Sequence, residues 1–286
     1  NNSPKPSKVE GYNSTAAVKL YSNSVANVNA NGNLTTGRIN MGSTSPANAK
    51  NYNFTDRSSS DNSLRFAGRP DAVSFYAKFT PGAGNQARGQ FILHDDCDYR
   101  DPEISDQSGN RVGKASVLID ACTDWTKYEG AFTYYQKSTP EVQYLLGSFT
   151  TNPTPGGSTG DELIIDDIHF IYYSTLRGVL YDPATIDFKE DVYNYTVDAE
   201  YSAIDFYCTT KGKGATKELS YDENTGVLTV TVKGNDISVN PENYTVYTFT
   251  FKTDSGTTDP EPKPEVKPLG TPVATLAELS NTETYA

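Results

Sequence analysis

A chain of 286 residues is longer than one hydrophobic core ordinarily serves, so about two domains are expected. Its formal net charge of −12 excludes non-specific binding to nucleic acid or to an anionic membrane, since either would repel it. With 20 Tyr, 12 Phe and 36% hydrophobic residues, and with Thr, Val, Asn and Gly in place of Leu, Ala, Glu and Lys, the composition excludes a helical protein and describes strands and turns.

Residues 1–10 lack the basic and apolar regions of a signal peptide and read as an N-terminal linker. The missing initiator Met is compatible with a removed export signal. No run of about 18 apolar residues spans a bilayer, which leaves a removed signal or a lipid anchor as the only expected membrane attachment. From there to residue 173, turn clusters separate alternating segments at intervals of about ten residues, the pattern of sandwiches rather than βαβ units. In residues 71–79 (DAVSFYAKF), Val73, Phe75, Ala77 and Phe79 face one way and Ala72, Ser74, Tyr76 and Lys78 the other, which predicts a half-buried strand. The same reasoning predicts strands at residues 16–21, 89–93, 115–120, 129–135, 142–149 and 163–173, together a sandwich of two sheets over 11–173.

A second series follows at residues 185–188, 193–197, 203–209, 218–221, 227–233 and 244–252. A stretch of this length carrying six or seven short strands predicts a smaller immunoglobulin-like sandwich over 174–252, without the Cys and Trp pair of antibody domains. From residue 253 the text TDSGTTDPEPKPEVKPLG alternates Pro with charge and predicts an extended linker or tail through 286. Its last segment places Val273, Leu276 and Leu279 at helical spacing but is short and uncapped.

The chemistry-bearing residues are few. Cys97, Cys122 and Cys208 have no Cys-x-x-Cys or Cys/His spacing for zinc. They read either as one bridge between Cys97 and Cys122 with Cys208 free, or as three small buried hydrophobes. His94 and His169 sit in no nucleophile or metal motif; His169 reads as a sheet-face histidine, and His94, before an acidic loop, is a weak ligand candidate. That loop carries Asp95, Asp96, Asp98, Asp101, Glu103 and Asp106 with Arg100 as the opposing charge, and its spacing is not that of an EF-hand. Glycoside hydrolysis needs two carboxylates about 5–10 Å apart across a cleft, and no motif singles out such a pair, so no catalytic residue is assigned. A sugar platform would use aromatic rings with polar neighbours, and Tyr99, Trp125, Tyr134 and Tyr135 are the candidates. Trp125, the sole tryptophan, enters the strand pattern WTKYEGAFTYY and reads first as core or edge packing, which leaves Tyr99 as the loop candidate.

Several stretches of the first module, in order, resemble the carbohydrate-metabolism domain, a jelly-roll-like family of exported proteins of gut Bacteroidetes. They are LTTG at 34–37, FAGRP at 66–70, VSFYAKFTP at 73–81 and GDELIIDDIHFIY at 160–172. NYTVYTFTF at 243–251 resembles the closing strand of the immunoglobulin-like modules that accompany such domains. The resemblance implies an all-β chain, a jelly-roll-like β-sandwich followed by a smaller immunoglobulin-like one, in a surface or periplasmic protein of polysaccharide use. It lends no catalytic residues. Asp166 and Asp167 resemble the place where carbohydrate-binding jelly rolls hold a structural calcium, and strand alternation would send the two side chains to opposite faces. The expected function is non-catalytic glycan binding or handling; the alternatives are an envelope assembly or adhesion component with a protein partner, and a polysaccharide hydrolase.

Overall fold

The structure is a computed structural model that describes residues 6–13, 16–25, 27–135, 141–182 and 186–253. The chain is all-β, with antiparallel sheets and no α-helix among the described residues. The strand Ala72–Thr80 shows how the first core forms. Its inward set Val73, Phe75, Ala77 and Phe79 is at most 1% exposed, because alternation puts every second side chain on one face. This strand lies in a five-stranded sheet of order Ser7–Val9, Ala17–Tyr21, Glu162–Ile171, Ala72–Thr80, Cys122–Ala131. Facing it is a six-stranded sheet containing Thr133–Tyr134, Arg111–Ile119, Ala87–His94, Tyr144–Thr150 and Asn33–Thr35 in that order, with Leu64–Arg65 also paired to Tyr144–Thr150. Between them Phe75 and Phe149 meet edge to face at 4.9 Å, and Phe91 and Phe149 at 5.5 Å. Each such buried ring contributes about 2–3 kcal/mol of apolar burial.

The two sheets differ on their outer sides. Ala87–His94 and Tyr144–Thr150 are buried on both faces: Gln90, Ile92 and His94 on the one, and Tyr144, Leu146 and Ser148 on the other, are all buried although they point away from the sandwich core. Their cover is a small sheet of Arg100–Asp101, Asn51–Phe54 and Arg38–Met41 with the loops around it. Gln90 Nε2 donates to Asp101 Oδ2 (2.6 Å), and Ile92, Tyr99 and Leu146 form their own apolar cluster beneath it. We call this the covered sheet. The five-stranded sheet, whose outer side keeps Tyr76, Lys78, Trp125, Lys127 and His169 partly or fully exposed, is the open sheet.

Beyond Tyr173 a second core begins at Leu176. Leu176–Asp182 pairs with Asp205–Thr210, and Asn194–Glu200, Tyr244–Lys252, Val227–Lys233 and Thr216–Asp222 form a four-stranded sheet in that order. Tyr247, Phe249 and Phe251 fill the space between, with Phe206 and Phe249 5.0 Å apart edge to face. Asn194–Glu200 runs parallel to Tyr244–Lys252.

Four expectations change. Residues 186–188 are not strand, Thr185 lies outside the described residues, and the opening strand of this core is Leu176–Asp182. Residues 129–135 are not one strand: Cys122–Ala131 belongs to the open sheet, the buried Phe132 turns the chain by donating its N–H to Asp71 O, and Thr133–Tyr134 joins the covered sheet. The strand expected over 163–173 carries a β-bulge between Asp166 and His169, with Asp167 at φ 55°. All three cysteines are free thiols, which removes the bridged alternative. The 253–286 tail, from residue 254 on, lies outside the described residues.

The described residues up to Lys252 form one compact unit. A buried carboxylate joins its two cores. Asp71 Oδ2 accepts from Tyr173 N (2.9 Å) and Asp71 Oδ1 from Lys213 N (2.8 Å), while Lys213 Nζ donates to Phe132 O at 2.9 Å. The approach is tight: a Cβ at Gly212 would lie 2.2 Å from Tyr173 O. Hydrogen bonds to an ionised group contribute about 1.5–3 kcal/mol each, so Asp71→Ala should lower stability by roughly 3 kcal/mol in urea unfolding and Asp71→Asn by less. An unchanged unfolding midpoint in Asp71→Ala would show that the junction rests on other contacts.

Candidate functional site

The open sheet presents the aromatic surface. Tyr12, carried across it by the segment between Ser7–Val9 and Ala17–Tyr21, stacks on Tyr76 with ring centroids 3.7 Å apart and planes at 16°. Trp125 stands edge-on to Tyr12 at 6.0 Å, and Lys78 Nζ lies 5.2 Å from the Trp125 ring centre. A hydrogen bond with the Tyr12 phenol, followed by partial burial, raises the Tyr76 pKa. Cross-strand register explains the grouping. Asp166, Tyr76 and Lys127 face one another across three strands, as do His169, Ser74 and Glu129 in the next outward row. All three rings are half-buried, each edge or face in contact with a neighbour and the remainder open to solvent. An apolar ring surface rimmed by a lysine pair, a carboxylate and an imidazole can hold a polyhydroxylated ring, with C–H groups on the aromatics and hydroxyls on the polar rim.

Of the four aromatics singled out in the sequence, only Trp125 is here. Tyr99 is fully buried against the covered sheet, its ring 5.1 Å from that of His94 and its hydroxyl donating to Glu103, so it offers no face to a ligand. Burial and then that hydrogen bond raise its pKa. Tyr134 belongs to the opposite sheet and is spent on structure: its hydroxyl donates to Pro70 O at 2.6 Å, and Arg69 and Lys213 lie over its ring at 5.6 and 5.3 Å. Tyr135 stacks under the Arg111 guanidinium at 3.9 Å on that same side. Adjacency in sequence did not bring these rings together, because Phe132 moves the chain from one sheet to the other. Tyr12 and Tyr76 were missed; Tyr76 was placed on the outward face, but nothing in the sequence aligns Tyr12 above it.

The aspartate pair, one member of which was expected to hold calcium, is engaged by protein nitrogens. Asp166 Oδ2 accepts from Tyr12 N and Oδ1 from Asp167 N, both at 2.8 Å, and Asp167 Oδ1 lies 2.6 Å from His169 Nε2. Three of the four carboxylate oxygens thus meet a nitrogen, whereas calcium takes six to eight oxygen ligands. The bulge also overturns the alternation that was to separate them, since Asp167 adopts a left-handed conformation and turns toward His169. The pair shapes the aromatic surface instead: Asp166 anchors Tyr12 through its backbone. Most of the acidic loop is likewise paired by protein. Arg57, distant in sequence, donates to Asp98 Oδ1 (2.8 Å) and Asp96 Oδ1 (3.0 Å), and Arg111 to Glu103 Oε2 (2.8 Å), whereas Arg100 lies 3.8 Å over the Tyr52 ring.

A hollow of about 610 Å³ opens elsewhere, among Asn29, Asn85, Asn152, Thr154 and Ser158. Its amides are largely committed. Asn29 Nδ2 donates to Gly157 O, Asn85 Nδ2 to Thr151 O, and Asn152 Oδ1 accepts from Thr154 N. Compared with known proteins, the chain matches no family model and no curated protein.

His94 is held neutral under the cover. Its Nδ1 lies 2.9 Å from Asp95 O, which as a carbonyl can only accept, so Nδ1 carries the proton and Nε2 accepts from Thr55 Oγ1 at 2.8 Å. Desolvation lowers its pKa from 6.5 to about 4. The unfolded chain therefore takes up a proton that the folded chain refuses: stability is complete above about pH 6.5 and is lost as pH falls toward 4. The single group sets a loss of roughly 3 kcal/mol by pH 4. Urea unfolding at pH 7 and pH 4.5 should show this slope, and His94→Phe, whatever its absolute stability, should flatten it; an equal slope in both would assign the acid sensitivity elsewhere.

Proposed function

We propose that this chain is an exported, non-catalytic glycan-binding or glycan-handling accessory protein whose ligand surface is the outer face of the open sheet. One observation carries the reading: three aromatic rings, Tyr12, Tyr76 and Trp125, are grouped on an uncovered sheet face and rimmed by Lys78, Lys127, Asp166 and His169. Such a surface recognises an uncharged sugar by stacking and hydroxyl contacts, which agrees with a chain whose charge of −12 disfavours polyanions. The second core then acts as a rigid spacer, fixed to the first through Asp71.

A second reading, an assembly or adhesion component with an envelope protein partner, draws on a different feature. On the outer side of the two-stranded sheet, Leu180 and Tyr207 face each other across the strands and are 71% and 59% exposed. An exposed apolar pair of this kind suits a protein contact.

Calorimetry against a panel of neutral host and plant polysaccharides separates the readings. Binding should appear, and Trp125→Ala and Tyr12→Ala should each weaken it at least tenfold, or about 1.4 kcal/mol, with the melting temperature little changed. Asn152→Ala, in the hollow away from the aromatic patch, should bind as the parent does. No binding at millimolar sugar, or a stoichiometric protein partner lost in Leu180→Asp, would replace the glycan reading; turnover of a polysaccharide, abolished by one carboxylate-to-amide change, would replace it with an enzyme.

A further inference from the structure

The open sheet ends on one side at Cys122–Ala131, whose outer side pairs with no strand among the described residues. The register of this strand decides which of its backbone groups are left over. Phe132 N–H, just past its end, donates to Asp71 O at 2.9 Å, while Gly130 lies opposite Val73, Tyr128 opposite Phe75 and Thr126 opposite Ala77. Alternation then turns the N–H and C=O groups of Thr126, Tyr128 and Gly130 toward Ala72–Thr80, and those of Lys127, Glu129 and Ala131 toward the edge. Thr126, Lys127, Glu129 and Ala131 are all exposed. A row of backbone groups with no partner strand is a template for another strand.

The charges along this edge select the partner. Lys127 and Glu129 stand two residues apart, so their side chains share the outer face of the sheet. Set antiparallel to a second copy of itself with Tyr128 opposite Tyr128, the strand places Lys127 of each copy opposite Glu129 of the other. That register also satisfies the backbone. Lys127 and Glu129 both turn their N–H and C=O outward, so they form the hydrogen-bonded pairs, and Tyr128 forms the non-bonded pair on the two-fold axis. Registers centred one residue to either side set Lys127 against Lys127 or Glu129 against Glu129, and like charges directly opposite destabilise a strand pair. Both side chains have capacity for the contact. Lys127 makes no ion pair among the described residues, and Glu129 uses Oε1 to accept from the Tyr173 hydroxyl at 2.9 Å, which leaves Oε2. The charge of −12 on each copy opposes association, but at physiological ionic strength it is screened beyond about 8 Å, and opposed side chains lie closer than that.

We propose that this edge is a contact between two copies of the chain, in which residues 126–130 pair antiparallel about Tyr128 and are closed by reciprocal Lys127–Glu129 ion pairs. The run is short, because the bulge between Cys122 and Thr126 breaks the register at one end and Phe132 leads the chain to the other sheet at the opposite end. A contact of this size supports a weak, reversible dimer. The two open sheets join with their outer faces on the same side, since a two-fold axis normal to the sheet relates antiparallel neighbours. On the glycan reading this sets two aromatic patches along one polymer and raises avidity with no new sugar contact, although the dimer itself does not rest on that reading.

Sedimentation equilibrium on the full chain, without glycan, reads the contact. The parent should pass from monomer to dimer as its concentration rises from micromolar to millimolar. Lys127→Glu and Glu129→Lys should each raise the dissociation constant about tenfold or more, because each sets like charges opposite one another. Mixed in equal amounts, these two variants should form a heterodimer, and the chain carrying both exchanges should dimerise as the parent does. Rescue by mixing also shows that the single variants are folded. A parent that stays monomeric at millimolar concentration, whether its own chain or an envelope protein covers the edge, would overturn the contact. A dimer that both single variants leave intact, or a mixture of the two that stays monomeric, would overturn it as well.

Discussion

The double burial of two neighbouring strands governs this molecule. Ala87–His94 and Tyr144–Thr150 present buried side chains on both faces, so one sheet of the sandwich cannot face water. Backbone and side chains outside the main core must then be recruited to cover it, because an apolar face left exposed invites association. The chain does this with the segment around Arg38–Met41 and Asn51–Phe54 and with the turn region from Asp95 to Asn110, which enter from far-separated parts of the sequence.

That asymmetry divides the surface into two kinds of chemistry. Under the cover, polar groups are desolvated and must be paired: His94 between Thr55 and Asp95, Gln90 on Asp101, Tyr99 on Glu103. Burial there fixes these groups in place through their hydrogen bonds. On the open sheet the same alternation that fills the core leaves Tyr76, Lys78, Trp125 and Lys127 at the surface, where a bulge at Asp167 and the anchoring of Tyr12 by Asp166 gather them into one patch. A β-bulge re-aims side chains at little cost to the ladder on either side, and here it turns a regular strand into the rim of the aromatic patch.

The sequence was legible where local alternation decides the outcome. Val73, Phe75, Ala77 and Phe79 were placed inward and are the centre of the core, and the strands at 227–233 and 244–252 keep their expected bounds. It was silent where long-range geometry decides. Arg38–Met41 (RINM) and Asn51–Phe54 (NYNF) alternate over four residues only, too short a run to stand out in the sequence, and they pair as strands where a doubly buried sheet needs a cover. Residues 129–135 alternate without interruption, yet Phe132 carries the chain between sheets. The same limit applies to the aromatic patch: Trp125 read mainly as packing, and Tyr12 was not singled out at all, because its place depends on a carboxylate far along the chain. Tyr99 lies in a charged loop and reads as exposed, but its ring is what fills the space above Ile92 and Leu146.

The difference between the two outer faces is the claim on which the rest depends, and hydroxyl-radical footprinting read by mass spectrometry tests it on the native chain. Tyr12, Tyr76 and Trp125 should be oxidised readily, and Tyr99 and Tyr144 should remain protected until the protein unfolds. Oxidation of Tyr99 and Tyr144 as fast as that of Trp125 would contradict the account.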